Sequence, residues 1–186
     1  MKKFAGREQS AFSIIEGLAV LAIVAIVATL VLANLRLGQR KTLLDNEALR
    51  LSQMVSRART NALGSVIFQG AVPTGGYGVR FDLAQAGNVA VLFADTNGNK
   101  RFEGNFASCS GECVERVVFG SGVIAASLSP DSPLDVTFVP PYGAATIRAG
   151  TSALDQTEGR VVLAFASDLN LRKTVVVAQG GQIRVE

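Results

Sequence analysis

The sequence predicts an α+β protein: one long N-terminal helix packed on an antiparallel β-sheet head. Three observations predict it. No charged residue occurs between Gly17 and Ala33, and no proline precedes Pro73. From Gly76 onward, short apolar segments are separated by Gly, Pro, Asn and Asp clusters that supply turn geometry. With 186 residues the chain is long enough for one domain with a core of its own plus an appendage. Its 48% hydrophobic content averages an apolar N-terminal run with the mixed composition that follows Asn34.

The elements follow in chain order. Residues 1–11 read as a short basic leader: Lys2, Lys3 and Arg7 against Glu8 place +2 of the net charge of +3 before Ala11. The rest of the chain is then near neutral, so bulk charge gives no argument for nucleic-acid binding.

Residues 12–35 follow, inside the stretch SAFSIIEGLAVLAIVAIVATLVLANL (Ser10 to Leu35). Such a run reads as a cleaved secretory signal, a permanent transmembrane helix or the buried core of an assembly. Ten Leu, Ile or Val residues lie between Leu18 and Leu32. Each contributes roughly −0.3 to −0.6 kcal/mol to membrane insertion, against about +3 for one acid at mid-membrane. The run therefore inserts despite Glu16. A lone carboxylate gains nothing in hydrocarbon, and intramembrane acids usually have a partner. Glu16 is either an interfacial side chain with its head in water or a charge kept for a neighbouring subunit.

Beyond Leu35, apolar residues fall at Leu37, Leu44, Ala48, Leu51, Val55, Ala58 and Ala62. That is one face of an amphipathic helix, 36–64, with Arg36, Arg40, Lys41, Arg50, Arg57 and Arg59 mostly off it. Phe12 to about Leu63 can form one helix about 78 Å long at 1.5 Å per residue, and Gly64 is its expected stop.

Residues 65–186 read as the β-rich head, with seven or eight strands. GYGVRFDLA and NVAVLFAD, separated by QAG, read as a hairpin whose strands alternate apolar and polar positions. LDVTFV and AATIRA flank the turn PPYG. GRVVLAFAS, RKTVVVAQ and QIRVE read as three consecutive strands.

Three groups in the head carry possible chemistry. Cys109 and Cys113, in CSGEC, suit a small disulfide or half of a metal site, and the chain has no second cysteine pair and no histidine to complete a zinc shell. Closing so short a loop stabilises by about 2 kcal/mol, and a disulfide marks an oxidising compartment. In DTNGNKRFE, Asp95, Asn97, Asn99 and Glu103 sit at alternating oxygen positions, partly like a calcium loop. The glycine is misplaced for one and the ligand charge is low, so a turn in which Asx side chains bond the backbone accounts for the same residues. No cofactor is expected, calcium at this loop being the one candidate. Arg160, Arg172, Lys173 and Arg184 are candidates for one basic edge of the C-terminal sheet. Without interleaved aromatic residues, a solvated edge fits them better than a nucleic-acid site.

The absence of histidine excludes His-based triads and His-ligated metal centres, and no spacing points to Ser/Lys or paired-carboxylate chemistry. The chain is expected not to be an enzyme.

A basic leader, a small residue, Phe, and Glu at the fifth position of an apolar segment, here Ala11, Phe12 and Glu16 in AFSIIE, resembles the type III signal of type IV pilins and type II secretion pseudopilins. The long helix, FADTNGN, VTFVPPYGAATI and the closing RKTVVVAQGGQIRVE are similar to GspH/FimT-type minor pseudopilins and minor pilins, over essentially the whole chain. The resemblance implies cleavage between Ala11 and Phe12 by a prepilin peptidase and N-methylation of Phe12. It implies pairing of Glu16 with the N-terminal amine of an adjacent subunit. It also implies an inner-membrane protein with its head in the periplasm, later part of a pilus or pseudopilus, whose partners are other pilins. Ala11 stands where the family usually has Gly, and its small size is compatible with cleavage. Some minor pilins of DNA-uptake pili are associated with DNA binding; here the terminal strand has only Arg184, offset by Glu186. The competing reading is a membrane-anchored or secreted β-domain acting as an adhesin or ligand-binding module.

Overall fold

The computed structural model describes residues 14–85, 87–120, 122–152 and 154–186, without the side chains of 33–37. One helix, α1 (Ile14–Leu63), is followed by strands β1 (Gly76–Phe81), β2 (Val89–Asp95), β3 (Gly104–Asn105), β4 (Ser110–Gly111), β5 (Cys113–Val118), β6 (Val123–Ser129), β7 (Leu134–Phe138), β8 (Ala145–Ala149), β9 (Glu158–Phe165), β10 (Asp168–Ala178) and β11 (Ile183–Val185). The chain divides into two compact units, Met1–Arg40 and Lys41–Glu186.

In the first unit, Ile14–Leu32 has a mean hydropathy of 2.7 and none of it is buried. A helix apolar on all sides has no face to choose, so its own chain gives it no seat.

In the second unit, the helical periodicity finds its partner. Leu44, Ala48, Leu51, Val55, Ala58 and Ala62 are buried, joined by Met54, which completes the stripe. The side chain of Leu37 lies outside those described. Arg59, one of the cations expected off the stripe, is instead part-buried and donates from Nη1 to the Gly181 carbonyl at 3.2 Å. The helix stops at Leu63, and the Gly64 N–H still reaches the Thr60 carbonyl at 2.9 Å.

The strands form a five-stranded sheet, β5-β2-β1-β7-β8, a four-stranded sheet, β11-β10-β9-β6, and the two-residue ribbon β3-β4. Every named pairing is antiparallel. The expected hairpins β1–β2 and β7–β8 and the meander β9–β10–β11 are all present. In the PPYG turn, Gly143 has φ +62°, and a Cβ there would lie 3.1 Å from Leu63 Cδ2. This is a position for the residue that tolerates the left-handed region.

Two expectations are corrected. Eleven strands occur among the described residues rather than seven or eight; β5, β6 and the β3-β4 ribbon were not anticipated. And neither β1 nor β2 alternates between buried and exposed positions: β1 is buried except at the half-buried Arg80, and all seven residues of β2 are buried. Ala90, Leu92 and Ala94 face the main core with α1 and both large sheets. Val89, Val91 and Phe93 face a second, smaller core with Phe102, Phe106 and Cys113. The segment after β2 folds back over the outer face of the sheet, so its central strand is dry on both sides.

Candidate functional site

The first candidate is the apolar run itself. Between Ile14 and Leu32 just two side chains are polar, Glu16 and Thr29. Thr29 is satisfied within the helix, its Oγ1 donating to the Ile26 carbonyl at 2.7 Å. Glu16 lies in the first turn of the described helix. It is exposed and has no ion-pair partner among the described residues. The next charged residue along the chain is Arg36. The run thus presents a single carboxylate in an apolar cylinder. Ala11, Phe12 and the leader 1–11 lie outside the described residues.

The second candidate is the loop between β2 and β5. Asp95 ends β2 fully buried, and its carboxylate accepts the N–H groups of Gly98 (2.7 Å) and Lys100 (2.9 Å). Lys100 Nζ stands 3.8 Å from the same carboxylate. The Asn97 side-chain oxygen accepts the Asn99 N–H at 3.0 Å, and that of Asn99 accepts the Arg101 N–H at 2.8 Å. Glu103 accepts from both amide side chains, Asn97 Nδ2 at 2.9 Å and Asn99 Nδ2 at 2.5 Å. All four candidate ligands therefore have their oxygens committed to N–H donors, which is the Asx-turn arrangement. Gly75 is required beside it: a Cβ there would sit 1.8 Å from Asp95 Oδ2.

Glu112 completes this loop and was not anticipated. Buried, it accepts from Thr96 N and Thr96 Oγ1, both at 2.8 Å, and from the Glu103 N–H at 2.8 Å. Its neighbour Cys113 is bonded to Cys109 and packs in the smaller core with Phe93, Phe102 and Phe106. The disulfide and Glu112 thus fasten one end of the loop to the sheet it covers.

A second unanticipated group is Arg80 with Asp135. The register places Arg80 of β1 directly opposite Asp135 of β7. Arg80 Nη1 donates to the fully buried Asp135 carboxylate at 2.9 Å, and Nη2 to Asp82 at 3.3 Å. The Phe102 N–H also approaches Asp135, at 3.4 Å. Burial pushes the Asp135 carboxyl up to about 6, against the pull of the Arg80 guanidinium. Burial likewise raises the Tyr77 hydroxyl, which donates to the Val66 carbonyl at 2.9 Å. The signal for the Arg80–Asp135 pair was one cation and one acid, each inside an apolar strand segment. Their meeting follows only once β1 and β7 are known to be neighbours.

The basic candidates do not line one edge. Arg160 lies on β9 and Arg172 and Lys173 on β10, both interior strands, while Arg184 alone is on the edge strand β11. Arg160 and Arg184 both face Val176 in the register and both grip Glu158, at 2.5 and 3.3 Å. Lys173 points the other way and pairs with Asp45 of the helix at 3.1 Å. Arg172, four residues before Val176 on the same strand, shares the face of Arg160 and Arg184, because side chains alternate along a strand and Lys173 alone falls on the other side.

No protein-family model matches the chain, and no curated protein matches it. Among solved structures the chain is similar to the type IV minor pilin FimU of Pseudomonas aeruginosa (strain PAO1) in two crystal forms. The P21 form aligns with a TM-score of 0.49 and 14% identity, over 77% of this chain and 87% of that chain. The P65 form aligns with a TM-score of 0.48 and 14% identity, over 77% and 92%.

Proposed function

We propose that this chain is a non-catalytic minor pilin or pseudopilin of the GspH/FimT kind. A prepilin peptidase cuts it between Ala11 and Phe12 and methylates the Phe12 amine. Residues 12–35 hold it in the inner membrane with the head, residues 65–186, on the periplasmic side, and 36–64 join the two. It then enters a type IV pilus or type II secretion pseudopilus beside other pilins.

One observation carries this reading: in a span where every other polar group is satisfied, Glu16 has no partner among the described residues. A simple anchor has no use for it. Cleavage before Phe12 creates a cationic amine four residues from Glu16, and methylation keeps it cationic. The amine of one subunit meeting the Glu16 carboxylate of the next neutralises both in a setting of low dielectric, where the attraction is strong. An ion pair of fixed position also sets the axial register between helices that are otherwise smooth and apolar. Apolar surface supplies the adhesion, and the charge pair selects one alignment.

The test is intact-mass and N-terminal peptide analysis of the membrane-derived protein, with and without an active prepilin peptidase. A mature chain beginning at Phe12 with one added methyl is expected. A chain still beginning at Met1 favours the anchored β-domain, and a cut near Ala33 favours a secreted one. In the same strain, Glu16→Leu is expected to keep the protein in the membrane while lowering its incorporation into filaments by more than about 100-fold, the cost of leaving one partner of a buried pair uncompensated. Unchanged incorporation would sink the assembly reading.

A further inference from the structure

Where the segment after β2 covers the outer face of the five-stranded sheet, it leaves a half-open cavity of about 180 Å³, lined in the main by Arg80, Asp82, Gln85, Phe102, Asn105 and Phe106. Alternation along β1 explains how the charged groups reach it. Val79 and Phe81 belong to the main core, so Arg80 and, just past the strand, Asp82 face the other way.

The polar groups of this cavity are in place before any ligand arrives. Arg80 Nη1 donates to Asp135 at 2.9 Å and Nη2 to Asp82 at 3.3 Å, which uses two of the five N–H groups of a guanidinium. Asp82 is held in turn by accepting the Ala84 N–H at 3.0 Å, and its side chain is 9% exposed. Gln85 is exposed and makes no hydrogen bond among the described residues. The Asn105 side-chain oxygen accepts the N–H groups of Ala107 and Ser108, both at 2.9 Å, while its amide nitrogen has no acceptor among the described residues.

This lining sets the chemistry of what fits. Its two charges are of opposite sign and already paired, and the second carboxylate on Arg80, that of Asp135, is fully buried. An added anion meets Asp82 and an added cation meets Arg80, so the cavity suits a neutral molecule. Two adjacent hydroxyls span such an ion pair without breaking it: one donates to the carboxylate and its neighbour accepts from the guanidinium. Gln85 and Asn105 add amide groups that serve further hydroxyls, and the edges of Phe102 and Phe106 give C–H groups an apolar wall. The volume equals that of about six waters at roughly 30 Å³ each, which is the space of one sugar ring.

We propose that this cavity binds one neutral pyranose unit of a saccharide, with neighbouring hydroxyls bridging Asp82 and Arg80. The open side lets a longer glycan continue into solvent. Binding here is a property of the head and does not depend on how the N-terminal helix is used.

The test is saturation-transfer difference NMR on the full chain in deuterated dodecylphosphocholine, a detergent without a sugar headgroup, with the aromatic protons of the protein irradiated. The probes are methyl β-D-glucopyranoside and methyl β-D-galactopyranoside, with sorbitol as an open-chain polyol. Transfer to at least one pyranoside is expected, and none to sorbitol. Gln85→Leu removes an exposed amide, and Asn105→Ser keeps an oxygen for the Ala107 and Ser108 N–H groups while removing the amide donor. Each is expected to weaken binding about five-fold, as the loss of one hydrogen bond does, and the two together about 25-fold. Thermal melting followed by far-UV circular dichroism shows that the variants are folded, and either single variant decides the question if the double one is not. Absence of transfer to both pyranosides overturns the proposal, as does equal transfer to sorbitol. Undiminished transfer in the folded variants also overturns it, since the sugar then sits elsewhere on the chain.

Discussion

Between Ile14 and Leu32, α1 is apolar on every side and none of it is buried by its own chain. Between Leu44 and Ala62, the same helix keeps seven apolar side chains at 7% exposure or less, while Asp45, Arg50 and Arg57 remain outside. The backbone is the same in both halves; the pattern of side chains differs. A stripe is a demand for one partner on one side, and the β-sheets of the same chain meet it. An unbroken apolar surface is a demand for partners all round, which a bilayer or a bundle of other helices meets. The polar residues follow the same division. In the head half, Arg57 pairs with Glu115 and Arg50 donates to the Val118 carbonyl at 3.1 Å. In the apolar half, Glu16 has no ion-pair partner among the described residues.

Truncating a core side chain should break this symmetry most. Leu51→Ala is expected to destabilise the head by about 2–5 kcal/mol, the transfer term plus the cavity term. Val27→Ala, in the exposed half, is expected to change head stability by no more than about 0.5 kcal/mol. Urea unfolding of the full chain in detergent, followed by far-UV circular dichroism, separates them. Comparable losses from the two substitutions would show that the halves are not energetically distinct.

A smaller difference should follow from removing the disulfide. Cys109→Ser with Cys113→Ser is expected to cost the head about 2 kcal/mol through loss of the loop constraint, with resistance to alkaline extraction from the membrane left as it was. If head stability were unaffected, the smaller core would be held by Glu112 and its aromatic residues alone.

The smallest effect is on pH dependence. The Asp135 carboxyl lies at about 6 in the folded head, above an unfolded aspartate at 3.8. Between those values the folded chain keeps a proton that the unfolded chain has lost. The stabilisation is therefore present at low pH and is lost as pH rises through about 6. From about pH 5 to pH 7.5 the loss is about 1 kcal/mol, and Asp135→Asn should abolish that slope. Urea midpoints of the parent and Asp135→Asn chains at both pH values measure the difference. Parallel behaviour of the two chains, or a parent that gains stability relative to the variant as pH rises, would contradict the burial argument.

The strands visible in the sequence were those with dense apolar content: β1, β2, β7, β8, β9, β10 and β11. The longer strands that escaped notice, β5 and β6, both close the edge of a sheet. Edge strands face water on one side, so CVERVV carries Glu115 and Arg116 and VIAASLS is rich in Ser and Ala. In the loop after β2, Asn97 and Asn99 were readable because an Asx side chain bonds the backbone two residues on, a local event. Glu112 was not, because its three donors come from Thr96 and Glu103, brought close only by the fold of the loop.

The sequence alone determined the apolar run with its single acid, the stripe from Leu44 to Ala62, and the hairpins and C-terminal meander. Each is a matter of period or of neighbours joined by a short turn, and both can be counted along one dimension. Only the tertiary structure decided that β1 lies between β2 and β7, that Arg80 therefore meets Asp135, and that β2 is buried on both faces. Those facts depend on which distant segments pair. Long-range pairing is settled by the burial of all the surfaces at once and leaves little trace in the local pattern of any one of them.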